Sequence, residues 1–231
     1  TDISRAHTDF VANASHELRT PLASIIGYAE TLVEQGSAIN PKQAARFHAT
    51  VLREAKRLQD LVTDLMSLSQ VEAEKHDQPT ERLDLAALVF QSARDVAGPE
   101  RVGRLHLAGA AEKLIVRADR SQLEQLARNL VDNALKYGAP DSSVHVGVQR
   151  DDSNRAILTV RDHGEGIDAE HIPHLTRRFY RVDPGRSRAA GGTGLGLAIV
   201  KHIVERHRGR LDIASRKGEG TTVTVRLSLV D

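Results

Sequence analysis

Four groups of residues in this chain have the types and spacing to do chemistry. The first is His16, with Glu17 beside it and Thr20 one helical turn on, in the run Ser15-His16-Glu17-Leu18-Arg19-Thr20-Pro21-Leu22. An exposed imidazole with a carboxylate neighbour suggests chemistry, although a lone histidine on a helix is more often a solvated surface residue. The second is Gly191-Gly192-Thr193-Gly194-Leu195-Gly196, which runs straight into a helical pattern. Glycines let a backbone approach a ligand closely, and a helix N-terminus behind them offers unpaired N–H groups and a positive dipole end. That is an anion cradle suited to phosphates, without the dinucleotide G-x-G-x-x-G spacing or the Walker lysine. A plain glycine turn is the alternative. The third is Asn129 and Asn133, with Tyr137 on the same helical face and Lys136 within reach of Asn133. Asparagine is a poor interior helix former, and neutral oxygen donors beside a lysine suit a magnesium-phosphate group. A solvated polar face would look the same. The fourth, Asp162-His163-Gly164-Glu165-Gly166, closes a strand with a carboxylate able to accept from an exocyclic amine such as that of adenine. An ordinary strand-to-loop turn has equal claim to it.

The elements that must position these groups follow from periodicity. Phe10, Ala14, Leu18, Leu22, Ile25, Ala29 and Leu32 step by threes and fours, which predicts a helix from about Asp2 to Glu34. His16 lies two positions from Ala14 and Leu18, roughly 200° away from the apolar stripe at ~100° per residue. Pro21 removes an N–H and crowds the carbonyl of Glu17, so a bend beside the histidine is expected. Gly36-Ser37 and Asn40-Pro41 interrupt the pattern, and Phe47, Val51, Ala55, Leu58, Val62, Leu65 and Leu68 resume it. Two helices with a short joint lie antiparallel. A lone pair cannot bury both stripes, so a homodimeric four-helix bundle is expected. The polar run Ala73 to Thr80, with Pro79, marks a linker. The division expected is 1–72 for the helical hairpin, 73–82 for the linker and 83–231 for a second domain.

Within that domain Asp84 caps a helix through Val96, and Leu114-Ile115-Val116 reads as a short strand. Asp119 or Ser121 opens a helix to Tyr137, stopped by Gly138 and Pro140. Val144–Val148 and Ala156–Val160 alternate as half-buried strands. Leu195 to His207 is helical with Gly209 as its stop, and 211–213 and 222–227 are strands. Interspersed strands and helices predict an α/β sandwich, with helices on one face of a mixed sheet.

Composition excludes several classes. Charges nearly cancel, to a formal +1, so no overall field favours nucleic acid or a membrane surface. Tryptophan is absent and aromatics make up 3% of residues, which argues against a base-stacking surface. Zero cysteines exclude disulfide and thiol chemistry and fit a reducing compartment. No apolar run approaches the ~20 residues of a membrane span. His48, His76, His106, His145, His202 and His207 have no metal-ligand spacing and read as surface or packing residues, His163 beside Asp162 reads as a loop filler, and Arg206-His207-Arg208-Gly209-Arg210 reads as a solvated helix end.

Taken together, Asn129 to Tyr137, Asp162 to Gly166 and Gly191 to Gly196 resemble the Bergerat ATP-binding fold. With Ser15 to Leu22 on a helical hairpin ahead of them, the chain resembles the cytoplasmic core of a two-component sensor histidine kinase, from about Ser4 to Leu229. The resemblance implies a dimerisation and phosphotransfer hairpin followed by an ATP-binding α/β sandwich. It implies ATP and Mg2+ as cofactors, and autophosphorylation on His16 with transfer to an aspartate of a response-regulator receiver domain. It also implies that Glu17 orients the imidazole or takes its proton, and that Thr20 supports dephosphorylation of the regulator. Asn133, with Asn129, would hold the metal. Lys136 would contact phosphate, Tyr137 would lie near the nucleotide and Asp162 would bind the adenine amine, with Gly164 and Gly166 shaping that wall. Gly192, Thr193, Gly194, Leu195 and Gly196 would frame the phosphates, and Thr221 in Gly218-Glu219-Gly220-Thr221 would bond near the adenine. Pro184 to Ala190, with Arg186 and Arg188, would form a mobile lid. A cytoplasmic location is expected, with any inner-membrane anchor upstream of Thr1.

The sequence departs from the family pattern at two places. Thr176 and Arg177 precede Arg178-Phe179-Tyr180-Arg181 where an aromatic and an acid are usual, which puts lid packing and the speed of autophosphorylation in question. Gln122 stands where a basic residue is frequent. The altered lid motif keeps a second reading open, a nucleotide-binding phosphatase or docking module with weak autokinase activity. A chaperone- or topoisomerase-type ATPase is a third, but it leaves the hairpin unexplained.

Overall fold

The structure, a computed structural model, describes residues 2–109, 111–189 and 191–230. It divides into two compact units, Thr1–Met66 and Ser67–Asp231.

The first unit is made by α1 (Asp2–Gln35) and the greater part of α2 (Pro41–Ala73), joined by a 3-10 turn at Gly36–Ala38. Both helices form where the threes-and-fours spacing places them. Asn40 Oδ1 accepts from the Lys42 N–H at 2.8 Å, so the residue before Pro41 caps the second helix. Tyr28 and Phe47 tie the pair together, their ring centroids 5.0 Å apart. Pro21 is buried within α1, which runs on to Gln35. Many apolar side chains of the hairpin stay exposed, among them Leu22, Ile26, Val33, Leu52 and Met66.

The second unit is an α/β sandwich. A five-stranded sheet has the order β2 (Leu105–Gly109), β4 (Val144–Arg150), β5 (Arg155–Arg161), β7 (Gly220–Ser228), β6 (Arg210–Arg216). The β2–β4 pair is parallel and the others are antiparallel. A two-stranded sheet pairs β1 (Glu81–Asp84) with β3 (Ile115–Ala118). Helices α3 (Leu85–Arg101), α4 (Arg120–Tyr137) and α6 (Gly196–Arg206) pack on the large sheet, and the short α5 (Pro184–Ala189) precedes α6. The core lies between helices and sheet. Val144, Val146 and Val148 of β4 and Ala156, Leu158 and Val160 of β5 point inward to Leu123, Leu126, Leu130, Ile199 and Ile203. Burial of each large apolar side chain is worth about 1.5–3 kcal/mol, which makes this layer the main source of the unit's stability.

Several boundaries differ from expectation. β1 and β2 were not predicted, because β1 offers only Leu83 to the core and the residues of β2 are half-buried or exposed. The helix expected to end at Val96 continues to Arg101 across a break at Gly98 (φ 67°), just before Pro99. Asp119, not Ser121, caps α4, accepting from the Gln122 N–H at 3.1 Å. The left-handed residue after α6 is Arg208 (φ 53°), while Gly209 is needed for close packing: a Cβ there would lie 2.5 Å from the Arg226 carbonyl. Among the described residues no helix is long and apolar enough to cross a membrane.

Candidate functional site

Asp162 follows β5 and is 8% exposed. Its Oδ1 accepts from the backbone N–H of Gly164 at 2.9 Å and of Thr221 at 3.3 Å. Two donors on one oxygen leave Oδ2 to accept from outside. Burial pushes the Asp162 carboxyl above the ordinary aspartate range, and the two backbone bonds and His163 oppose that shift. The surrounding turn is built without side chains. Gly166 sits at φ 72°, and a Cβ there would collide with the Arg216 carbonyl, so only glycine fits. A Cβ on Gly164 would strike the Tyr137 carbonyl, which brings this wall against the end of α4. Thr221 is held by Ser215, whose hydroxyl lies 2.9 Å from Thr221 Oγ1, donates to the Gly220 carbonyl and accepts from the Ile167 N–H.

Asn129, Asn133, Lys136 and Tyr137 lie half-buried along α4, whose Leu130, Val131 and Ala134 face the core. Asn129 Nδ2 donates to the Gly196 carbonyl at 3.3 Å, joining α4 to the first residue of α6. That leaves Asn129 Oδ1 unused by this bond, and the Asn133 side chain has no hydrogen-bond partner among the described residues. Lys136 Nζ pairs with Asp132 at 2.8 Å, and Arg101 reaches the same carboxylate at 3.6 Å. A side-chain oxygen from each asparagine fits magnesium, which keeps most of its waters and takes few protein ligands.

The glycine cradle closes the third side. The N-terminus of α6 has no side-chain cap, so its N–H groups stay available to an anion. Thr193 Oγ1 accepts from the Leu195 N–H at 3.3 Å, and Leu195 is fully buried. At Gly192 a Cβ would lie 2.7 Å from Ser187 Oγ and 2.9 Å from Tyr137 Oη. Those two hydroxyls are 3.1 Å apart, and the Gly192 N–H donates to the Ser187 carbonyl at 2.8 Å. The segment expected to be a mobile lid thus forms α5, with Ser187 buried. Arg186 pairs with Glu165 at 2.6 Å. The Arg188 side chain and Ala190 lie outside the described residues.

The segment before the lid braces the cradle. Arg181 Nη2 donates to the carbonyls of Gly192 at 3.3 Å and Thr193 at 2.8 Å, and the Phe179 N–H donates to that of Gly194 at 2.8 Å. Tyr180 Oη meets His171 Nδ1 at 2.6 Å. Thr176 is half-buried and Arg177 exposed, so the departure from the family motif falls outside these contacts.

Two further groups had no visible signal in the sequence. Arg206, expected in a solvated helix end, is 8% exposed and bonds to Asp119 Oδ2 and Gln122 Oε1, both at 3.0 Å. It also pairs with Glu74 Oε2 at 3.2 Å. His207 accepts the Asp119 N–H on Nε2 at 3.0 Å and meets the Ile203 carbonyl through Nδ1 at 2.7 Å, which assigns the proton to Nδ1. Burial lowers its pKa, in keeping with that neutral form. A composition of scattered arginines and histidines does not reveal which one is enclosed.

In the hairpin unit His16 is exposed on α1 and Glu17 is half-buried beside it. Thr20 Oγ1 donates to the His16 carbonyl at 3.2 Å, one turn back. The structure therefore brings Asp162, Thr221, the asparagine face and the glycine cradle together around α4, and keeps His16, Glu17 and Thr20 together on α1.

An ATPase-fold domain behind a helical hairpin with an exposed histidine defines the class, and comparison with known proteins agrees. Residues 6–74 match the His Kinase A (phospho-acceptor) domain, and residues 118–231 match the histidine kinase-, DNA gyrase B-, and HSP90-like ATPase. The phosphate regulon sensor protein PhoR of Pseudomonas aeruginosa is 41% identical over 231 residues, covering 96% of this chain and 52% of PhoR. Sensor protein SrrB of Staphylococcus aureus is 35% identical over 227 residues, covering 98% of this chain and 39% of SrrB. The chain thus spans about half the length, or less, of these relatives. The Acinetobacter baumannii histidine kinase AdeS has a TM-score of 0.72 and 25% identity, over 94% of this chain and 98% of that one. The histidine kinase domain of the Escherichia coli osmosensor EnvZ has a TM-score of 0.51 and 31% identity, over 68% of this chain and 92% of that one. The chain belongs to the sensor histidine kinase family.

Proposed function

We propose that this chain is the catalytic core of an ATP-dependent histidine autokinase that signals to a response regulator. One observation carries the reading: an amine acceptor, an asparagine face and an anion cradle converge on α4, in a chain that presents His16 on an exposed helix face. In the first step a ring nitrogen of His16 bonds to the γ-phosphorus of ATP. The bond from that phosphorus to the β–γ bridging oxygen breaks, and ADP leaves with the electron pair. Glu17 takes or directs the ring proton. Asp162 Oδ2 accepts from the adenine amine, Thr221 supports that wall, and Lys136 exchanges Asp132 for phosphate oxygens. Asn133 with Asn129 would hold magnesium, which when bound would supply charge neutralisation for the transferring group.

The phosphoryl group then passes from nitrogen to a carboxylate oxygen of an aspartate on a receiver domain. Thr20 serves the reverse traffic, positioning a water for dephosphorylation of the regulator. On this reading residues 1–72 are the dimerisation and phosphotransfer hairpin, 73–82 the joining segment and 83–231 the ATP-binding domain, with a cytoplasmic location. The exposed Leu22, Ile26, Leu52 and Met66 support a homodimer through the hairpin. The test is ATP binding with and without magnesium. Binding by the wild type should depend on the ion and fall more than about tenfold in Asn133→Ala, which removes a ligand oxygen. Unchanged magnesium-dependent binding in that variant contradicts the assignment.

A further inference from the structure

The last turns of α2 are gripped by the elements that frame the nucleotide site. Leu68 and Val71 are buried, and Ser67–Ala73 falls within the second unit although α2 is one continuous helix from Pro41. Glu72 pairs with Arg178, and His202 Nε2 lies 3.4 Å from it. Glu74 pairs with Arg206 and accepts from Gln122 Nε2 at 3.0 Å. Arg206 Nε also donates to the main-chain carbonyls of Glu74 at 3.2 Å and Asp77 at 3.1 Å.

Each grip leads to the site by a short path. Arg178 is followed by Phe179 and Arg181, which between them hold the carbonyls of Gly192, Thr193 and Gly194. Arg206 closes α6, whose first residue, Gly196, belongs to the cradle and bonds to Asn129. Arg206 also binds Asp119, the cap of α4, the helix that carries both asparagines. A packed helix and a four-residue segment transmit displacement rather than absorb it. The departure at position 122 belongs to the same device. Gln122 Oε1 accepts from Arg206 at 3.0 Å, where a basic residue would set two cations face to face.

We propose that the acidic end of α2 is a coupling element: the Glu72–Arg178 and Glu74–Arg206 grips and nucleotide in the cradle stabilise each other. The inference rests on the nucleotide reading above. Any movement of α2 that unseats Glu72 and Glu74 lowers nucleotide affinity, and by linkage bound nucleotide tightens the seat by the same factor.

The test measures MgAMPPNP affinity by calorimetry, and amide hydrogen exchange across residues 68–76, on the whole 231-residue chain. The wild type is compared with Glu72→Gln, Glu74→Gln and the pair combined. Expected is a loss of affinity on the order of fivefold in the combined variant, and slower exchange of that segment on adding MgAMPPNP to the wild type. Affinity within about twofold of wild type, with exchange of the segment accelerated or not, overturns the coupling. Should a variant fold poorly, the exchange pair Glu72→Arg with Arg178→Glu decides. Restored affinity relative to either single change supports the proposal, and none restored overturns it. If the wild type does not bind MgAMPPNP, the nucleotide reading itself falls. If it binds and only the variants are indifferent, the coupling alone falls.

Discussion

Asp162 sets binding against stability. Burial raises its pKa, so the folded chain holds that proton more tightly than the unfolded chain does. Its contribution to stability is therefore greatest below the ordinary aspartate value and declines as pH rises from there through the raised folded value. On the proposed reading, Asp162→Asn keeps an oxygen for the N–H groups of Gly164 and Thr221 but turns an NH2 donor toward the adenine amine. The variant should melt higher than wild type at neutral pH, with a flatter acid-side pH dependence by scanning calorimetry. Its ATP affinity should fall more than about tenfold, since two donors then face each other. On α1, Thr20→Ala removes a hydroxyl that bends back to the His16 carbonyl. It should weaken regulator dephosphorylation more than autophosphorylation, and equal loss of both would make Thr20 structural only. His16, Asn133 and Asp162 stand out as candidates only together: each local pattern has an ordinary surface alternative, and the joint order of the motifs is what singles them out. Ser187, Ser215 and Arg206 do not stand out, because a lone serine or arginine acquires its role only from partners distant in sequence.

At the scale of elements, α4 organises the second unit. The end of β5 meets its C-terminus, α6 begins beside Asn129, and Asp119 links its cap to Arg206. Arg206→Met removes the cation from Asp119 and Glu74 and leaves the Glu74 and Asp77 carbonyls without their donor. The expected loss is about 2–4 kcal/mol, read as a lower calorimetric transition for the ATP-binding unit. The alternating strands β4, β5 and β7 and the three long helices could be read directly from periodicity. β1 could not, since Glu81, Arg82 and Asp84 give no apolar alternation and the strand exists by pairing with β3. The lid role of Pro184 to Ala190 is implied by the family resemblance alone; what ties the segment to the site is Ser187 reaching Tyr137 and Arg186 reaching Glu165, contacts between residues tens of positions apart.

For the whole molecule, two sequence patterns build two units, and on the proposed reading they separate two jobs: a heptad-like hairpin that presents a nucleophile, and a mixed sheet with three helices that binds its phosphoryl donor. The hairpin leaves Ile26 and Leu52 about half exposed in a single chain. Sedimentation at micromolar concentration should show a dimer, and Ile26→Asp with Leu52→Asp should shift it to monomer while ATP binding persists, because neither residue belongs to the ATP-binding unit. The central claim joins the two jobs in one reaction, and γ-labelled ATP with magnesium tests it most directly. The wild type should acquire label that is acid-labile and base-stable, as a phosphorus–nitrogen bond requires, and His16→Ala should acquire none while still binding ATP. Label that survives His16→Ala, or a wild type that binds ATP yet never takes label, would contradict the account.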